Sequence, residues 1–263
     1  MKKFEGILIC TDLDGTLLMD DGSISRENLE AIEHFKSNGG LFTFATGRIP
    51  EYLTRFPFRA NAPIVTTNGT LMCDGDGNTL WKKTMPVEDC TEVLRHILES
   101  HTGVKTVQRC FEGAEEMKIE FLPPRESLAS FADGCPTNKM VFICETEEDA
   151  LRLMGDLIDR FGHRFSFDRS WPVGLEMHHK NSGKGECVKI LRQMLPQVHT
   201  VITAGDYEND LTMLREADIG CAVANAIPSV KEAADRIIVH CDEHALAHII
   251  YDLIPSLTEN GNV

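Results

Sequence analysis

The chain has 263 residues, of which 42% are hydrophobic and 25% are charged, as in an ordinary soluble globular protein. This length predicts two domains, each large enough to bury a core of its own. The formal net charge of -15 argues against nucleic acid and against an anionic membrane surface as partners, because proteins bind both mainly through Lys and Arg.

The first part of the chain predicts strands that alternate with helices. Short apolar runs indicate strands at residues 7–10, 41–45 and 63–67. Ser25 is a suitable N-cap for a helix that ends at Gly39, and Pro50 begins a short helix. Residues 74–78 predict a hairpin turn between two further short strands. They begin like a calcium loop but lack the later Gly and Glu that such a loop requires.

From about Lys83 the pattern changes to several short strands with two long helices, which is typical of an α+β unit. The predicted helices span about 87–101 and 147–161. Leu151, Met154, Leu157 and Ile158 are spaced as the buried face of the second helix. The predicted strands lie at 105–109, 118–121, 139–144, 164–168 and 173–177.

After Lys184 the alternation of helices and strands resumes. Strands are predicted at 200–204 and 219–223. Helices are predicted at 186–195, 228–234 and 243–253, and a further helix is predicted to run through Leu214. The predicted fold class is therefore α/β, with a Rossmann-like parallel-sheet core and an inserted α+β cap domain. The core is predicted to comprise residues 1–82 and 181–263, and the cap residues 83–180.

Four short segments carry polar side chains at the ends of predicted strands or at the return from the insertion. They are Asp12-Leu13-Asp14-Gly15-Thr16, Thr46-Gly47-Arg48, Lys184-Gly185 and Gly205-Asp206-Tyr207-Glu208-Asn209-Asp210. The carboxyl ends of parallel strands are where an open α/β sheet places its ligands. Each segment alone is a modest signal, since an Asp-rich turn or an acidic helix N-terminus gives the same pattern. In this order they predict one site.

Chemistry suited to phosphate follows from the residue types in these segments. The Thr46 hydroxyl and the Gly47 N–H can bind a phosphoryl oxygen, whereas Arg48 can pair with substrate, with a carboxylate of the cap, or in a purely structural ion pair. Asp206 and Asp210 are four residues apart at a strand-to-helix turn, so they can face one site. Hard carboxylate oxygens suit Mg²⁺, which usually takes one or two carboxylates.

The four segments, the Asn68-Gly69 turn and the long insertion before Lys184 resemble those of haloacid dehalogenase superfamily phosphatases. The resemblance covers nearly the whole chain and is greatest to the Cof-type branch, in which a large cap lies between the second and third motifs. The motifs are specific to the superfamily and much less specific to any substrate.

The resemblance implies a role for each matching residue. Asp12 is implied to be the nucleophile that forms an aspartyl-phosphate, and Asp14 the general acid and base. Lys184 is implied to neutralise Asp12 and the transferring phosphoryl group, rather than Lys180 four residues earlier. The implied metal ligands are Asp12, Asp206 and the backbone carbonyl of Asp14, with Asp210 acting indirectly. The implied phosphate-binding residues are Thr46, Gly47, Arg48, Lys184 and Asn209.

Other conspicuous side chains favour structural interpretations. We expect His178 and His179 to be solvated hinge residues, because adjacent residues do not share a face. We expect Phe111, Phe131 and Trp171 to lie in the core of the cap. The nine cysteines are odd in number and mostly lie in apolar runs, which argues against a disulfide framework. The amino terminus lacks the apolar core of a secretion signal. We therefore expect the protein in a reducing cytoplasm.

The predicted function is a Mg²⁺-dependent phosphatase of small phosphorylated metabolites, with sugar phosphates as one class. A phosphomutase or phosphotransferase that passes the same phosphoryl group to a sugar hydroxyl is the alternative. A non-catalytic phosphate-binding module is a third hypothesis, which the presence of Asp12, Asp14, Thr46, Lys184 and Asp206 disfavours. The predicted partner is a small phosphorylated metabolite, and the protein is expected to be a monomer or a small homo-oligomer.

Overall fold

The strands form three sheets in the computed structural model, which describes residues 2–113 and 116–259. A parallel sheet has the order β13-β12-β11-β1-β2 and is assembled from both ends of the chain. Its strands are β1 (Ile7–Thr11), β2 (Leu41–Phe44), β11 (Thr200–Gly205), β12 (Ile219–Ala222) and β13 (Arg236–Ile237). Strand β1, which lies between β11 and β2, is buried along its whole length, as its apolar sequence predicts.

A three-stranded antiparallel sheet extends from the β2 edge through a bridge between Ala45 and Val65. It consists of β3 (Ile64–Thr66), β4 (Leu71–Cys73) and β5 (Thr79–Lys82). The β4–β5 turn is a hairpin in which the Asp74 carboxylate accepts hydrogen bonds from Asp76 and Asn78. These bonds account for the Asp-rich sequence that begins like a calcium loop.

The helices around the parallel sheet have identifiable ends. The first helix begins after Ser25, whose hydroxyl accepts a hydrogen bond from the Asn28 N–H at 3.1 Å. The helices are α1 (Arg26–Ser37), α5 (Lys184–Met194), α6 (Leu211–Glu216), α7 (Pro228–Ala233), α8 (Ala245–His248) and α9 (Ile254–Glu259). Together with β1–β5 and β11–β13, we call them the parallel unit.

The segment between β5 and α5 forms an antiparallel sheet of its own, with the order β7-β6-β8-β10-β9. Its strands are β6 (Val104–Glu112), β7 (Met117–Leu122), β8 (Thr137–Cys144), β9 (Phe165–Trp171) and β10 (Gly174–His179). Its helices are α2 (Val87–Ser100), α3 (Pro124–Ser130) and α4 (Glu147–Phe161). These elements, which we call the antiparallel unit, enclose a second hydrophobic core that is separate from that of the parallel unit. The mixed architecture confirms the predicted fold class.

Some details differ from the sequence-based expectations. Helix α4 has the predicted bounds, and Leu157 is buried and Met154 packs against the core as predicted, but Leu151 and Ile158 are 48% and 43% exposed, so that part of the predicted buried face is wrong. The buried stripe is Ala150, Leu153, Leu157 and Phe161, which is also spaced by three or four residues. Helix α3 was not predicted, because its polar sequence carries little apolar periodicity.

The predicted final helix is interrupted. A π-helical turn at Ile249–Leu253 joins α8 to α9. Pro255 follows this turn and lacks the N–H that a regular α-helix would donate to Tyr251. All nine cysteines carry free thiols. Within residues 2–113 and 116–259, none of the helices has the length and apolar character needed to cross a bilayer.

Candidate active site

A cavity of about 490 Å³ separates the carboxyl ends of β1, β2 and β11 from the antiparallel sheet. Both units contribute to its lining. From the parallel unit come Asp12, Asp14, Gly47, Arg48, Ile49, Glu51, Tyr52, Arg55, Asp206, Tyr207 and Asn209. From the antiparallel unit come Gln108, Ile119, Lys139, Val141, Ser170, Trp171 and Glu176. We call the first set the floor of the cavity and the second set its roof.

Lys184 connects two carboxylates under the floor. Its ammonium donates hydrogen bonds to Asp12 Oδ1 and to Asp210 Oδ1, each at 2.6 Å, and its side chain is fully buried. Burial opposes the charge on Lys184, but the carboxylates of Asp12 and Asp210 outweigh burial and hold its pKa above the usual range. The first turn of α5 therefore supplies a fixed positive charge beside Asp12.

Asp210 is positioned by the backbone of its own turn. Its Oδ2 accepts hydrogen bonds from the Asp206 N–H at 2.9 Å and the Tyr207 N–H at 3.2 Å. Since Oδ1 accepts from Lys184, both oxygens of Asp210 already have partners. This arrangement supports an indirect role for Asp210, in which it orients Lys184 and the Asp206 turn.

Asp206 lies against the loop that follows β1. Its Oδ1 accepts a hydrogen bond from the Thr16 hydroxyl at 3.0 Å. Gly15 has a φ of +76°, and a Cβ at this position would lie 2.8 Å from Asp206 Oδ2. The Asp-x-Asp-Gly-Thr sequence thus needs glycine here for two reasons, its left-handed backbone and the approach of a carboxylate.

The carboxylates of this site fit a divalent cation. Ligand atoms of Asp12, Asp206 and Asp210 lie within 4.8 Å of one another. Burial raises the pKa of Asp12 well above its usual range, and Lys184 offsets only part of this effect. Burial and the nearby Asp210 raise the pKa of Asp206 to about 7. One lysine therefore leaves negative charge uncompensated, and a cation held by oxygen ligands would compensate it.

Asp14 and Arg48 form a bidentate ion pair at the side of the cavity. The Arg48 Nε donates to Asp14 Oδ2 at 2.8 Å, and its Nη2 donates to Asp14 Oδ1. The guanidinium also stacks on Tyr52, 3.7 Å from the ring centroid. Thr46 is buried, and its Oγ1 accepts a hydrogen bond from the Arg48 N–H at 3.2 Å. Arg48 is therefore paired with a carboxylate of its own unit and not with one from the antiparallel unit.

The roof contains a buried ion pair that the sequence analysis missed. The Lys139 ammonium lies 3.2 Å from Glu176 Oε2, and both side chains are almost fully buried. Lys139 also donates a hydrogen bond to the Gly47 carbonyl across the cavity at 2.9 Å. The Ser170 hydroxyl donates to Glu176 Oε1 at 2.7 Å. A charged residue inside an apolar strand was the available signal at both 139 and 176.

A chain of amide hydrogen bonds connects the roof to the floor. The Asn68 side-chain N–H donates to Glu176 Oε2 at 2.9 Å, and Asn209 donates to Asn68 Oδ1 at 3.1 Å. Asn209 is thus placed beside the cavity, as predicted for a phosphate-binding residue, but it also orients Asn68.

The Asn68-Gly69 turn also touches the start of α5. Gly69 has a φ of +82°, and a Cβ there would lie 2.1 Å from the Gly183 carbonyl carbon. The Gly183 N–H donates to the Gly69 carbonyl at 3.0 Å. Because Lys184 directly follows Gly183, this close backbone contact sets where the lysine enters the site.

The other conspicuous side chains have mixed outcomes. The expectation that His178 is solvated is wrong, because it is buried, with Nε2 2.7 Å from Asp168 Oδ2 and Nδ1 3.0 Å from the Ser182 hydroxyl. Trp171 lines the cavity, so its assignment to the core is also wrong. Phe111 and Phe131 are buried as expected, where they flank the guanidinium of Arg109.

Comparison with known proteins identifies relatives along nearly the whole chain. An HMP-PP phosphatase of Yersinia enterocolitica is 29% identical, and the match covers 95% of this chain and 96% of the relative. A solved haloacid dehalogenase-like hydrolase from Bacillus subtilis matches with a TM-score of 0.77 at 20% identity, over 94% of this chain and 99% of that one. The subclass IIB sugar phosphatase BT4131 matches with a TM-score of 0.71 at 21% identity, over 97% and 99% of the two chains.

The family model for haloacid dehalogenase-like hydrolases matches residues 9–250. This span includes the whole antiparallel unit, the parallel unit except its first residues and α9, and all four polar segments. The resemblance inferred from those segments is confirmed, and the chain belongs to the haloacid dehalogenase-like hydrolase family.

Proposed function

We propose that this protein is a Mg²⁺-dependent phosphatase that hydrolyses small phosphorylated metabolites through an aspartyl-phosphate on Asp12. The observation that carries the proposal is the position of Asp12, which lines the cavity while Lys184 holds one of its oxygens at 2.6 Å. The relatives named as an HMP-PP phosphatase and a sugar phosphatase support a small phosphorylated substrate. The free thiols support a cytoplasmic protein, which we expect to be a monomer or a small homo-oligomer.

In the first step, a carboxylate oxygen of Asp12 attacks the phosphorus atom. The bond between phosphorus and the leaving-group oxygen breaks, and that oxygen takes a proton from Asp14. Lys184 keeps Asp12 in place and neutralises charge on the phosphoryl oxygens. The Thr46 hydroxyl, the Gly47 N–H and the Asn209 amide are the donors at the ends of β2 and β11 that we assign to those oxygens.

Asp14 can donate a proton to a leaving group only after its ion pair with Arg48 has changed, because both of its carboxylate oxygens accept hydrogen bonds from the guanidinium. We assign the change to the substrate. Its anionic phosphate offers the Arg48 guanidinium an alternative bidentate partner, while the guanidinium remains next to the Tyr52 ring. Arg48 is thus proposed to bind substrate and, by leaving Asp14, to prepare the acid.

In the second step, water attacks the phosphorus atom of the aspartyl-phosphate. Asp14, now ionised, takes a proton from this water, the bond from phosphorus to Asp12 breaks, and inorganic phosphate leaves. Asp12, Asp206 and the Asp14 carbonyl are the residues that would hold Mg²⁺, and Asp210 would position them. When bound, the cation would neutralise charge on the carboxylates and on the phosphoryl group.

We also propose that residues 83–180 act as a cap over a core made of residues 1–82 and 181–263. The roof residues Lys139, Ser170, Trp171 and Glu176 face the side of the cavity where a leaving group would lie. Selectivity for that group is therefore assigned to the antiparallel unit. An exchange of residues 83–180 for a related cap should change substrate preference while hydrolysis of a small generic ester persists.

The proposal is tested by a screen of phosphorylated metabolites, including HMP-PP and hexose phosphates, with release of inorganic phosphate as the readout. Chelation should stop the release, and Mg²⁺ should restore it. Product analysis with a hexose phosphate separates the alternatives, because a phosphomutase yields an isomeric phosphate in place of free phosphate. Binding without turnover of any substrate would leave only the non-catalytic hypothesis. Activity that persists in thoroughly metal-stripped protein would contradict the assigned metal dependence.

A further inference from the structure

A second group of metal-binding side chains lies outside the cavity. It consists of Asp20, His240, Cys241 and Asp242, which we call the loop cluster. Asp20 belongs to the loop that follows β1 and the catalytic segment, whereas the other three belong to the loop that follows β13. The two loops are 220 residues apart in sequence and are joined by a hydrogen bond from the Asp20 N–H to Asp242 Oδ1 at 3.0 Å.

The spacing of the ligand atoms suits a tetrahedral metal ion. Cys241 Sγ lies 3.4 Å from Asp20 Oδ1, 3.5 Å from His240 Nδ1 and 3.9 Å from Asp242 Oδ1. Bonds of about 2.3 Å to sulfur and about 2.0 Å to nitrogen or oxygen, at tetrahedral angles, place such ligand atoms roughly 3.5 Å apart. The ligand atoms of Asp20, His240 and Cys241 all lie within 4.8 Å of one another, so a single ion can reach these three side chains with little movement, and Asp242 lies beside them.

We propose that the loop cluster is a structural binding site for Zn²⁺ or a similar thiophilic divalent cation. Thiolate and imidazole ligands favour Zn²⁺, whereas the oxygen ligands at Asp12 and Asp206 favour Mg²⁺. The ligand set of one Cys, one His and carboxylates therefore selects a different metal from the one assigned to the active site.

Another His-rich group lacks this spacing. On the outer helices of the antiparallel unit, His96 Nε2 and His101 Nε2 lie 2.5 and 2.8 Å from the same oxygen of Asp156. Those separations are hydrogen-bond distances, so two imidazoles share one carboxylate there. In the loop cluster the distances from Cys241 Sγ are 3.4 Å to Asp20 Oδ1 and 3.5 Å to His240 Nδ1, which suit a thiol hydrogen bond and equally suit two ligands of one tetrahedral ion.

Metal binding to the loop cluster has identifiable costs. Cys241 is buried and its thiol must lose its proton to solvent, while the Asp242 N–H must give up its 3.2 Å hydrogen bond to His240 Nδ1. An ion can enter past Asp20, which is exposed, and past His240, which is partly exposed. The thiolate bond to the metal replaces a weak thiol hydrogen bond to Asp20.

A metal bound at this site would stabilise the loop after β1, which carries Asp12 and Asp14, through hydrogen bonds. The Cys241 N–H donates to Asn225 Oδ1 at 3.0 Å, and the Asn225 amide donates to the Gly15 carbonyl at 2.7 Å. Gly15 lies one residue after Asp14. A metal that fixes the position of Cys241 would therefore also fix Asn225 and the turn that carries Asp12 and Asp14.

Co²⁺ is the probe that tests the proposal, because it replaces Zn²⁺ and its absorption reports its ligands. The full-length, metal-stripped protein is titrated with Co²⁺ in excess Mg²⁺. We expect one equivalent to bind with a thiolate-to-metal charge-transfer band and the visible bands of a tetrahedral ion. Co²⁺ at the oxygen ligands of the active site would give no thiolate band, so the result does not depend on the proposed phosphatase activity.

Three variants complete the test. Cys241→Ser should lose the charge-transfer band, and Asp20→Asn should weaken Co²⁺ binding by more than the roughly tenfold that loss of an outer hydrogen-bond partner costs a metal site. Cys135→Ser, which changes a partly exposed cysteine elsewhere, should behave as the wild type. Zn²⁺ should raise the melting temperature of the wild type and of Cys135→Ser, but not that of Asp20→Asn. A wild type without a thiolate band, or a band that persists in Cys241→Ser, would overturn the proposal.

Discussion

A buried lysine lies under the floor of the cavity (the floor lysine, Lys184) and another lies in its roof (the roof lysine, Lys139), and the two are held in different ways. Lys184 donates to two carboxylates, Asp12 and Asp210, that belong to the same unit as itself. Lys139 is paired with a single carboxylate, Glu176, and its remaining hydrogen bond crosses to the Gly47 carbonyl of the other unit. The floor thus has more negative than positive charge, whereas the roof is balanced.

This difference in charge suggests different tasks for the floor and for the roof of the cavity. An excess of buried carboxylates is costly unless a cation joins them, so the charge of the floor fits the metal and the phosphoryl group that we propose to bind there. A buried ion pair with no net charge does not require an additional cation, but both of its members lose their hydration when the two units come together. Arg169 adds a similar link, because its guanidinium donates to Glu208 of the parallel unit at 2.6 and 2.9 Å. The roof contacts are therefore suited to hold the closed state.

Removal of the proposed nucleophile should have the largest effect. Asp12→Asn should lower kcat by about 10⁴-fold or more, as in other enzymes that lose their nucleophile. The same change removes one negative charge from a floor that has an excess of negative charge, so the melting temperature should change little while the activity is lost. Asp252→Asn, at an exposed carboxylate of the parallel unit, is the matched control and should leave both unchanged. Near-normal turnover by Asp12→Asn would mean that another group attacks phosphorus.

Loss of the floor lysine should be the most damaging to stability. Lys184→Met leaves Asp12 and Asp210 buried without their counter-ion, which typically costs about 3–5 kcal/mol of folding free energy. Urea denaturation measures this cost. Lys189→Met, on the same helix but about half exposed, should cost little. If the two variants unfold at the same urea concentration, the charge imbalance attributed to the floor is wrong.

Loss of the roof lysine should affect catalysis more than stability. Lys139→Met leaves Glu176 unpaired only while the cavity is closed, because opening gives that carboxylate access to water. One charge-assisted hydrogen bond is worth about 1.5–3 kcal/mol, so kcat/KM should fall roughly 10- to 100-fold with a smaller change in urea midpoint than Lys184→Met shows. Lys118→Met, at an exposed position of β7, serves as the control. An equal loss of stability in the two buried-lysine variants would remove the distinction between floor and roof.

The same contrast explains how far the sequence could predict the site. Asp12, Thr46 and Asp206 directly follow apolar runs, so local sequence places them at strand ends, and the parallel sheet brings those ends together. Lys139 and Glu176 lie inside strands 37 residues apart. They meet because the register of β8 against β10 pairs Lys139 with His178 and Glu176 with Val141, which places them diagonally on one face. Register is a tertiary property that a local pattern does not fix.

The local sequence also does not determine which individual side chains are exposed. Leu151 and Ile158 satisfy helical spacing as well as Leu153 and Phe161 do, and only the packing of α4 against its sheet selects the buried stripe. His178 is buried because strand alternation puts it on the same face as Glu176. The expectation that His178 is solvated rested on its neighbour in sequence, His179, whereas its burial depends on its neighbours across the sheet.

The smallest expected effect is a coupling between pH and metal on stability. Without metal, the pKa of Asp206 is raised to about 7 from an unfolded value near 3.8, so the folded state holds this proton more tightly. The stability that this proton contributes is fully present below the unfolded pKa and is lost as the pH rises to the folded pKa. The metal-free protein should therefore melt at a lower temperature at pH 8 than at pH 5.

Mg²⁺ binds the ionised carboxylate, so the stabilisation it provides should grow over the same range of pH. Melting temperatures with Mg²⁺ and with chelator, measured at pH 5 and pH 8, give this difference directly, at about 2–4 °C for each kcal/mol. Asp206→Asn removes one of the two carboxylates whose pKa is raised, the other being Asp12, and should therefore reduce the pH dependence of the Mg²⁺ effect. Because the roof pair is balanced, Glu176→Gln should keep the pH dependence of the wild type. An Mg²⁺ effect that is as large at pH 5 as at pH 8 would show that the floor does not carry the uncompensated charge assigned to it.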